Sequence, residues 1–400
     1  MIYFDNSATT APCPEAQEAA LRALKECWGN PSSAHFAGLA ARKIKEEARE
    51  KVAKSVGMNR MTDGKIVFTS GGTEANNLAL LGCVYSKERP LKNRSRGKII
   101  ISDGEHASVN AAAEKLEREG FEVYRIPTKG GALDLGDLRK NATGDVIIAS
   151  IMAVNNETGA LYDVKSAAEI IREAAPGAVI HSDCVQAYMK MRLTPKDLSA
   201  DMITLSAHKI FGAKGAGALY ISNAVVKAKI ISPLFFGGGQ EEGYRSGTEA
   251  LPAIAAFGAA AEAGMREFSA RTEAVLRVGT YAETALAATD GVRLNLPEKR
   301  LPNILNITVR GIKSETLLNY LSGEGICVSK SSACSSRSRN LSPALLAFGL
   351  SDEDADSSLR LSFSHLNTEE EIDSFRAVLS KGCERLSKIR KQPVKIPLDK

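Results

Sequence analysis

No stretch of about 18 consecutive apolar residues, the least that crosses a bilayer as a helix, occurs in the 400-residue chain. A basic-then-apolar leader is also missing, because Met1 runs within three residues into Tyr3-Phe4-Asp5. Neither a membrane span nor export is therefore expected. There is no C-x-x-C pair, and the 7 cysteines are odd in number and scattered. That argues against a disulfide framework or a zinc site, so no metal is expected. Charge of one sign is scarce too, with a formal net charge of only +5. The basic stretches Lys87 to Lys98 and Arg385 to Lys400 lack interleaved aromatics. They read as a solvated loop and tail, not as a nucleic-acid surface.

What is present, 44% hydrophobic and 25% charged residues, describes a soluble globular protein long enough for two domains. The cytoplasm is the expected compartment, and a free thiol there can serve as a reagent. The opening, Tyr3 to Thr10, is a short strand-like start followed by small polar residues. It looks like a segment tied onto another part of the fold. Asn30-Pro31-Ser32-Ser33-Ala34-His35 is a turn whose serines can cap the next element. Ile44, Ala48, Val52 and Val56 then recur every four residues, which predicts a helix over 39–56. Strands and helices alternate afterwards. Strands are expected at 65–69, 98–101, 121–126, 146–152, 178–182 and 201–206, with helices at 78–85, 107–119 and 164–174. Several of the strands are almost wholly apolar, as strands covered on both faces must be. The fold class implied is α/β, a mainly parallel sheet between helices.

Functional side chains in such a sheet gather at the carboxyl ends of the strands. One such end carries Ser70-Gly71-Gly72-Thr73, where a glycine turn and a helix start would favour phosphate; a merely capped helix fits that stretch equally well. Others carry Glu105-His106, Asn155-Asn156-Glu157, and Asp183-Cys184-Val185-Gln186. The strand ending at Leu205 delivers Ser206-Ala207-His208-Lys209, followed by a glycine-rich turn. Taken alone, that lysine reads as well as a surface loop residue. Together the set supplies an amine, a carboxylate, an imidazole, two amides and a phosphate cradle. These are the requirements of pyridoxal 5'-phosphate. Lys209 would hold the cofactor through its amine and then act as base. Asp183 would keep the ring nitrogen protonated, and His106 would stack on the ring and shuttle protons. Gln186 would hydrogen-bond the ring hydroxyl oxygen. Gly72, Thr73, Ser206 and His208 would hold the phosphate.

The chain resembles the cysteine desulfurases among the class V, fold type I pyridoxal-phosphate enzymes, from Tyr3-Phe4-Asp5 to Thr368–Asp373. The most specific pieces are Asn30–His35, Val154–Gly159, Ser206–Lys209, Gly237–Gly243 with Arg245–Glu249, and Ser332-Ala-Cys-Ser-Ser336. The resemblance implies a large cofactor-binding domain with a seven-stranded sheet, residues 16–262. It implies a smaller α+β domain built from residues 1–15 and 263–400. It implies a homodimer in which Thr248 of one subunit reaches the phosphate of the other. It also implies conversion of L-cysteine to L-alanine, sulfur being left as a persulfide on Cys334 and passed to an acceptor such as an iron–sulfur scaffold protein. Residues 323–343, rich in serine and carrying Cys327 and Cys334, suit a mobile loop, and Cys334 suits the nucleophile better than Cys327. Residues 265–286 read as one long helix linking domains. Arg360 stands where the family grips the substrate carboxylate, and Asn156 or Asn155 assists there or at the ring. The sequence departs from the family at Ser331, in place of a glycine, and at Ser364-His365, in place of Gly-Arg. A selenocysteine lyase, a small aminotransferase and a non-catalytic assembly partner are the rival readings.

Overall fold

A computed structural model of the chain describes residues 1–58, 60, 63–87, 97–330 and 341–391. The strands, in chain order, begin with β1 (Ile2–Tyr3), β2 (Gly64–Thr69), β3 (Lys98–Ser102) and β4 (Glu122–Ile126). β5 (Val146–Ser150), β6 (Val179–Asp183), β7 (Met202–Ser206) and β8 (Gly217–Ser222) come next. The remainder are β9 (Val292–Leu294), β10 (Ile304–Val309), β11 (Ile326–Cys327), β12 (Ser329–Lys330) and β13 (Ser358–Ser362). The first helices are α1 (Pro14–Lys25), α2 (Phe36–Ser55), α3 (Gly72–Val84) and α4 (Ala107–Arg118). After them come α5 (Leu135–Asn141), α6 (Val164–Ala174), α7 (Asn223–Ala228), α8 (Leu251–Arg266) and α9 (Phe268–Ala287).

The expected seven-stranded sheet is present, in the order β2-β8-β7-β6-β5-β3-β4. Only β8 runs against its neighbours. It succeeds β7 through a short glycine-bearing turn, too short for the crossover that a parallel partner needs. Elsewhere α3, α4, α5 and α6 provide those crossovers, except between β6 and β7, which residues 184–201 join without an α-helix. β3 and β5 are buried along their whole length, which suits the apolar runs Ile99–Ile101 and Val146–Ala149 within them. Each isoleucine fully buried there contributes about 1.5–3 kcal/mol.

A second sheet, β12-β13-β10-β9, is antiparallel throughout. Its core holds Phe4, Ile307, Leu359, Leu361 and Phe375, all fully or nearly fully buried. The opening segment joins the two sheets. β1 pairs in parallel with β11, Asp5 bridges to Ser362, and the Thr10 N–H donates to the His208 carbonyl at 2.9 Å.

Four details depart from the sequence reading. α3 starts at Gly72, not Leu78; its polar opening Gly72-Thr73-Glu74 hides the helical pattern, although Ala75 and Asn76 are already buried. His35, not Ser32 or Ser33, caps α2, its Nδ1 accepting from the Gly38 N–H at 3.3 Å. The single helix expected at 265–286 is two, α8 and α9, broken at Glu267 (φ −103°, ψ 8°). The Glu267 carboxylate is gripped there by Arg266 at 2.6 Å and by Arg271 at 2.8 Å. The polar stretch after Gly323 begins with β11 and β12 rather than loop. Ser331, Ser332 and Cys334 lie outside the described residues.

Candidate active site

Strand order brings the predicted groups to one edge of the large sheet. β6 and β7 are neighbours in register, with Asp183 opposite Thr204, so Asp183 and the Ser206–Lys209 turn lie side by side. The Asp183 carboxylate accepts from the Asn76 side chain at 2.6 Å and from the Val185 N–H at 3.0 Å. The same Asn76 amide donates to Ser108 Oγ at 2.9 Å, which in turn meets His106 Nδ1 at 2.8 Å. His106 Nδ1 also accepts from the Ser108 N–H, capping α4. Asp183 and His106 are thus joined through two polar side chains. Burial pushes the His106 imidazole below its usual range; Asp183 opposes that shift and Lys209 adds to it.

Lys209 directs its amine at the carbonyls of Ser7 (2.5 Å) and Ala8 (2.7 Å). Gln186 Nε2 donates to the same Ser7 carbonyl at 2.9 Å, and its Oε1 accepts from Lys190 at 2.5 Å. His208 meets Thr9 Oγ1 at 3.2 Å, and burial pushes its pKa down to about 4. A cavity of about 360 Å³ opens beside these groups, bordered by Asn6, Thr10, Lys190, Lys209, Phe211 and His365. His365 sits edge-on to Phe211 at 4.9 Å. Asp183, His106 and Gly72 are not on its wall.

The residues present fit pyridoxal phosphate. The start of α3 at Gly71-Gly72-Thr73 has no side-chain cap, so its N–H groups and the positive end of its dipole are open to an anion. Ser206 Oγ is buried with no partner among the described residues, and so is Arg360 Nε. Both are donors suited to an oxyanion, and leaving either unpaired is costly. Thr73 is exposed at the same helix start.

Arg360 is nearly buried and already engaged. It donates to the Asn156 carbonyl at 3.0 Å and pairs with Asp5 at 3.0 Å. Asp5 is held in turn by Ser329 Oγ at 2.7 Å. The two candidate amides differ in freedom. Asn155 is spent on its turn: Oδ1 accepts from the N–H groups of Glu157 and Thr158, and Nδ2 donates to Gly104. Among the described residues no hydrogen bond engages the Asn156 side chain, and this favours Asn156 for contact with a ligand. Thr248 is exposed on an irregular segment pinned to α2. Arg49 grips Glu241 with two bonds of 2.8 Å, and Lys45 reaches Glu249 at 2.6 Å. Of the predicted residues, Thr248 is not bonded to the rest of the set, and Cys334 is not described.

Sequence reasoning missed Asn76, Lys190, the Ser7 and Ala8 carbonyls and the Asp5 partner of Arg360. Lys190 alone left a signal, a cation inside the otherwise apolar run Ala187-Tyr-Met-Lys-Met191.

The class of protein is now defined. The chain belongs to the class-V aminotransferase family, whose model matches residues 2–375. Within it, the chain is 37% identical to cysteine desulfurase IscS 1 of Archaeoglobus fulgidus, covering 96% of this chain and 98% of that one. It is 39% identical to a NifS/IcsS protein homolog of Lactobacillus delbrueckii subsp. bulgaricus, over 97% and 99% of the two chains. A solved NifS-like protein superposes with a TM-score of 0.86 at 34% identity, over 97% of this chain and 99% of that one.

Proposed function

We propose that the chain is a pyridoxal-phosphate-dependent cysteine desulfurase, converting L-cysteine to L-alanine and keeping the sulfur as a persulfide on Cys334. The observation that carries this reading is that Asp183, side by side with the Ser206–Lys209 turn, is tied through Asn76 and Ser108 to the half-buried His106. Pyridoxal phosphate, when bound, supplies the electron sink for the charge developing at the substrate Cα. Lys209 would hold it and take the Cα proton. Asp183, fixed by Asn76 and the Val185 N–H, would hold a proton on the ring nitrogen. His106 would serve the ring and move protons. Gln186 would donate to the ring hydroxyl oxygen. Gly72, Thr73, Ser206 and His208 would hold the phosphate, joined by Thr248 of a second subunit. Arg360, sharing its guanidinium with Asp5, orients the substrate carboxylate with Asn156. The Cys334 thiolate attacks the substrate Sγ, so the Cβ–Sγ bond breaks as the S–S bond forms.

The division into residues 16–262 and residues 1–15 with 263–400 belongs to the same reading. So do the homodimer, a cytoplasmic location and a sulfur acceptor such as an iron–sulfur scaffold. No described helix is long and apolar enough to cross a membrane. Incubation with L-cysteine and a reductant should yield alanine and sulfide in equal amounts. Cys334→Ser should keep the bound cofactor's absorbance yet release neither sulfide nor persulfide, which separates a desulfurase from an aminotransferase. No alanine from the intact protein, or undiminished sulfur release from Cys334→Ser, would defeat the proposal.

A further inference from the structure

Arg360 pairs with a carboxylate of its own chain. Its Nη2 lies 3.0 Å from Asp5 Oδ1, and the two side chains are only 8% and 19% exposed. The small sheet builds this contact. Ser329 on β12 stands opposite Arg360 on β13, and Asp5 bridges to Ser362, two residues further along β13 and so on the same face. Ser329 Oγ donates at 2.7 Å to the same Asp5 oxygen that Arg360 uses. Arg360 Nη1 donates to the Asn156 carbonyl at 3.0 Å, and Nε is buried with no partner among the described residues. The nearby Glu157 carboxyl is occupied elsewhere. Burial raises its pKa to about 7, and its Oε2 accepts from Ser342 Oγ at 2.6 Å. Among the described residues Asp5 is thus the one carboxylate within ion-pair reach of Arg360.

We propose that Asp5 is a positioning residue acting through Arg360: it holds the guanidinium in place and competes with the substrate carboxylate for its charge. This rests on the reading of Arg360 as the grip on the substrate carboxylate. A guanidinium so far removed from water needs a counter-charge, and leaving it unpaired is costly. An incoming carboxylate then meets a cation that is already shared, and the two anions repel each other across it. L-cysteine and L-alanine carry the same α-carboxylate, so Asp5 weakens the hold on substrate and product alike. Asp5 touches none of the reacting atoms. Its effect is on binding common to the ground and transition states, which sets KM and product release and leaves the chemical step alone.

The test follows L-alanine binding to the cofactor-loaded protein through the bound cofactor's absorbance, with L-alaninamide, which lacks the carboxylate, in parallel. Asp5→Asn keeps an acceptor for Arg360 and Ser329 but removes the charge. It should bind L-alanine roughly tenfold more tightly, the effect of one like charge at close range, and leave L-alaninamide binding unchanged. The KM for L-cysteine should fall by a similar factor. Ser329→Ala withdraws the hydroxyl that shares the Asp5 carboxylate, so L-alanine should bind more weakly there. That variant decides the matter if Asp5→Asn does not fold. L-alanine binding in Asp5→Asn no tighter than in the parent, or an equal gain for L-alaninamide, overturns the proposal. Unchanged L-alanine binding in Ser329→Ala does the same. A parent that binds L-alanine and L-alaninamide alike would instead refute the reading of Arg360 as the grip, and the proposal would fall with it.

Discussion

At the scale of single residues, the site is surrounded by polar groups whose charge the fold suppresses. Glu105 is the clearest, one residue before His106. Its Oε1 accepts from Ser102 Oγ at 2.5 Å and the Met152 N–H at 2.7 Å, while Oε2 is buried without a partner among the described residues. Burial raises its pKa to about 8 from an ordinary 4.5, the donors opposing and Asp183 adding to the shift. The folded state therefore holds a proton that the unfolded chain releases between those values. Its stabilising effect is complete at acid pH and is lost as pH rises through that window. Glu105→Gln keeps the acceptor for Ser102 and Met152 but cannot ionise. Its melting temperature relative to the parent should climb from about pH 5 to about pH 8.5 and then level off. Parallel pH profiles in thermal melts would show that Glu105 carries no such linkage.

At the scale of elements, the phosphate cradle depends on how closely two backbones approach. Gly217 opens β8 opposite Thr69 and Ser206, and a Cβ placed on it would lie 2.5 Å from the Gly71 carbonyl carbon. No side-chain rotation relieves a clash with backbone, so Gly217→Ala must push the Gly71-Gly72 turn away from Ser206. The fold should survive, but a shift of about 1 Å in the cradle should lower turnover on the order of 10²-fold and weaken cofactor retention in equilibrium dialysis. Retention equal to the parent would mean that the turn is not the cradle. This explains why the sequence read as well as it did. Apolar runs and glycine turns are local signals, so six strands of the large sheet and the candidate groups at their ends could be placed along the chain. The polar partners are not local. Asn76 reaches Asp183 across 107 residues and Asp5 reaches Arg360 across 355, distances over which sequence spacing carries no information. The kink at Glu267 is hidden for a related reason: the helical pattern continues through it while side-chain ion pairs fix the break.

At the scale of the whole molecule, large apolar side chains remain in water where a lone subunit has no use for them. Trp28 is 77% exposed, Phe36 86% and Phe236 84%. Trp28 lies between α1 and α2, Phe36 opens α2, and Phe236 precedes the segment that α2 anchors and that carries Thr248. Side chains of this kind are where the homodimer proposed above would bury surface, and its second copy would also bring Thr248 to a phosphate. Mutating both Trp28 and Phe36 to glutamate places charge where a dimer requires burial, while touching no residue that holds the cofactor within one subunit. The variant should sediment as a monomer and lose pyridoxal phosphate on dialysis. The parent should do the same on dilution below its dissociation constant, since partner binding stabilises by mass action. If the double variant stays dimeric, this face is not the interface. If it becomes a monomer that binds cofactor as tightly as the parent, Thr248 is not supplied by a second subunit, and each chain builds its phosphate site alone.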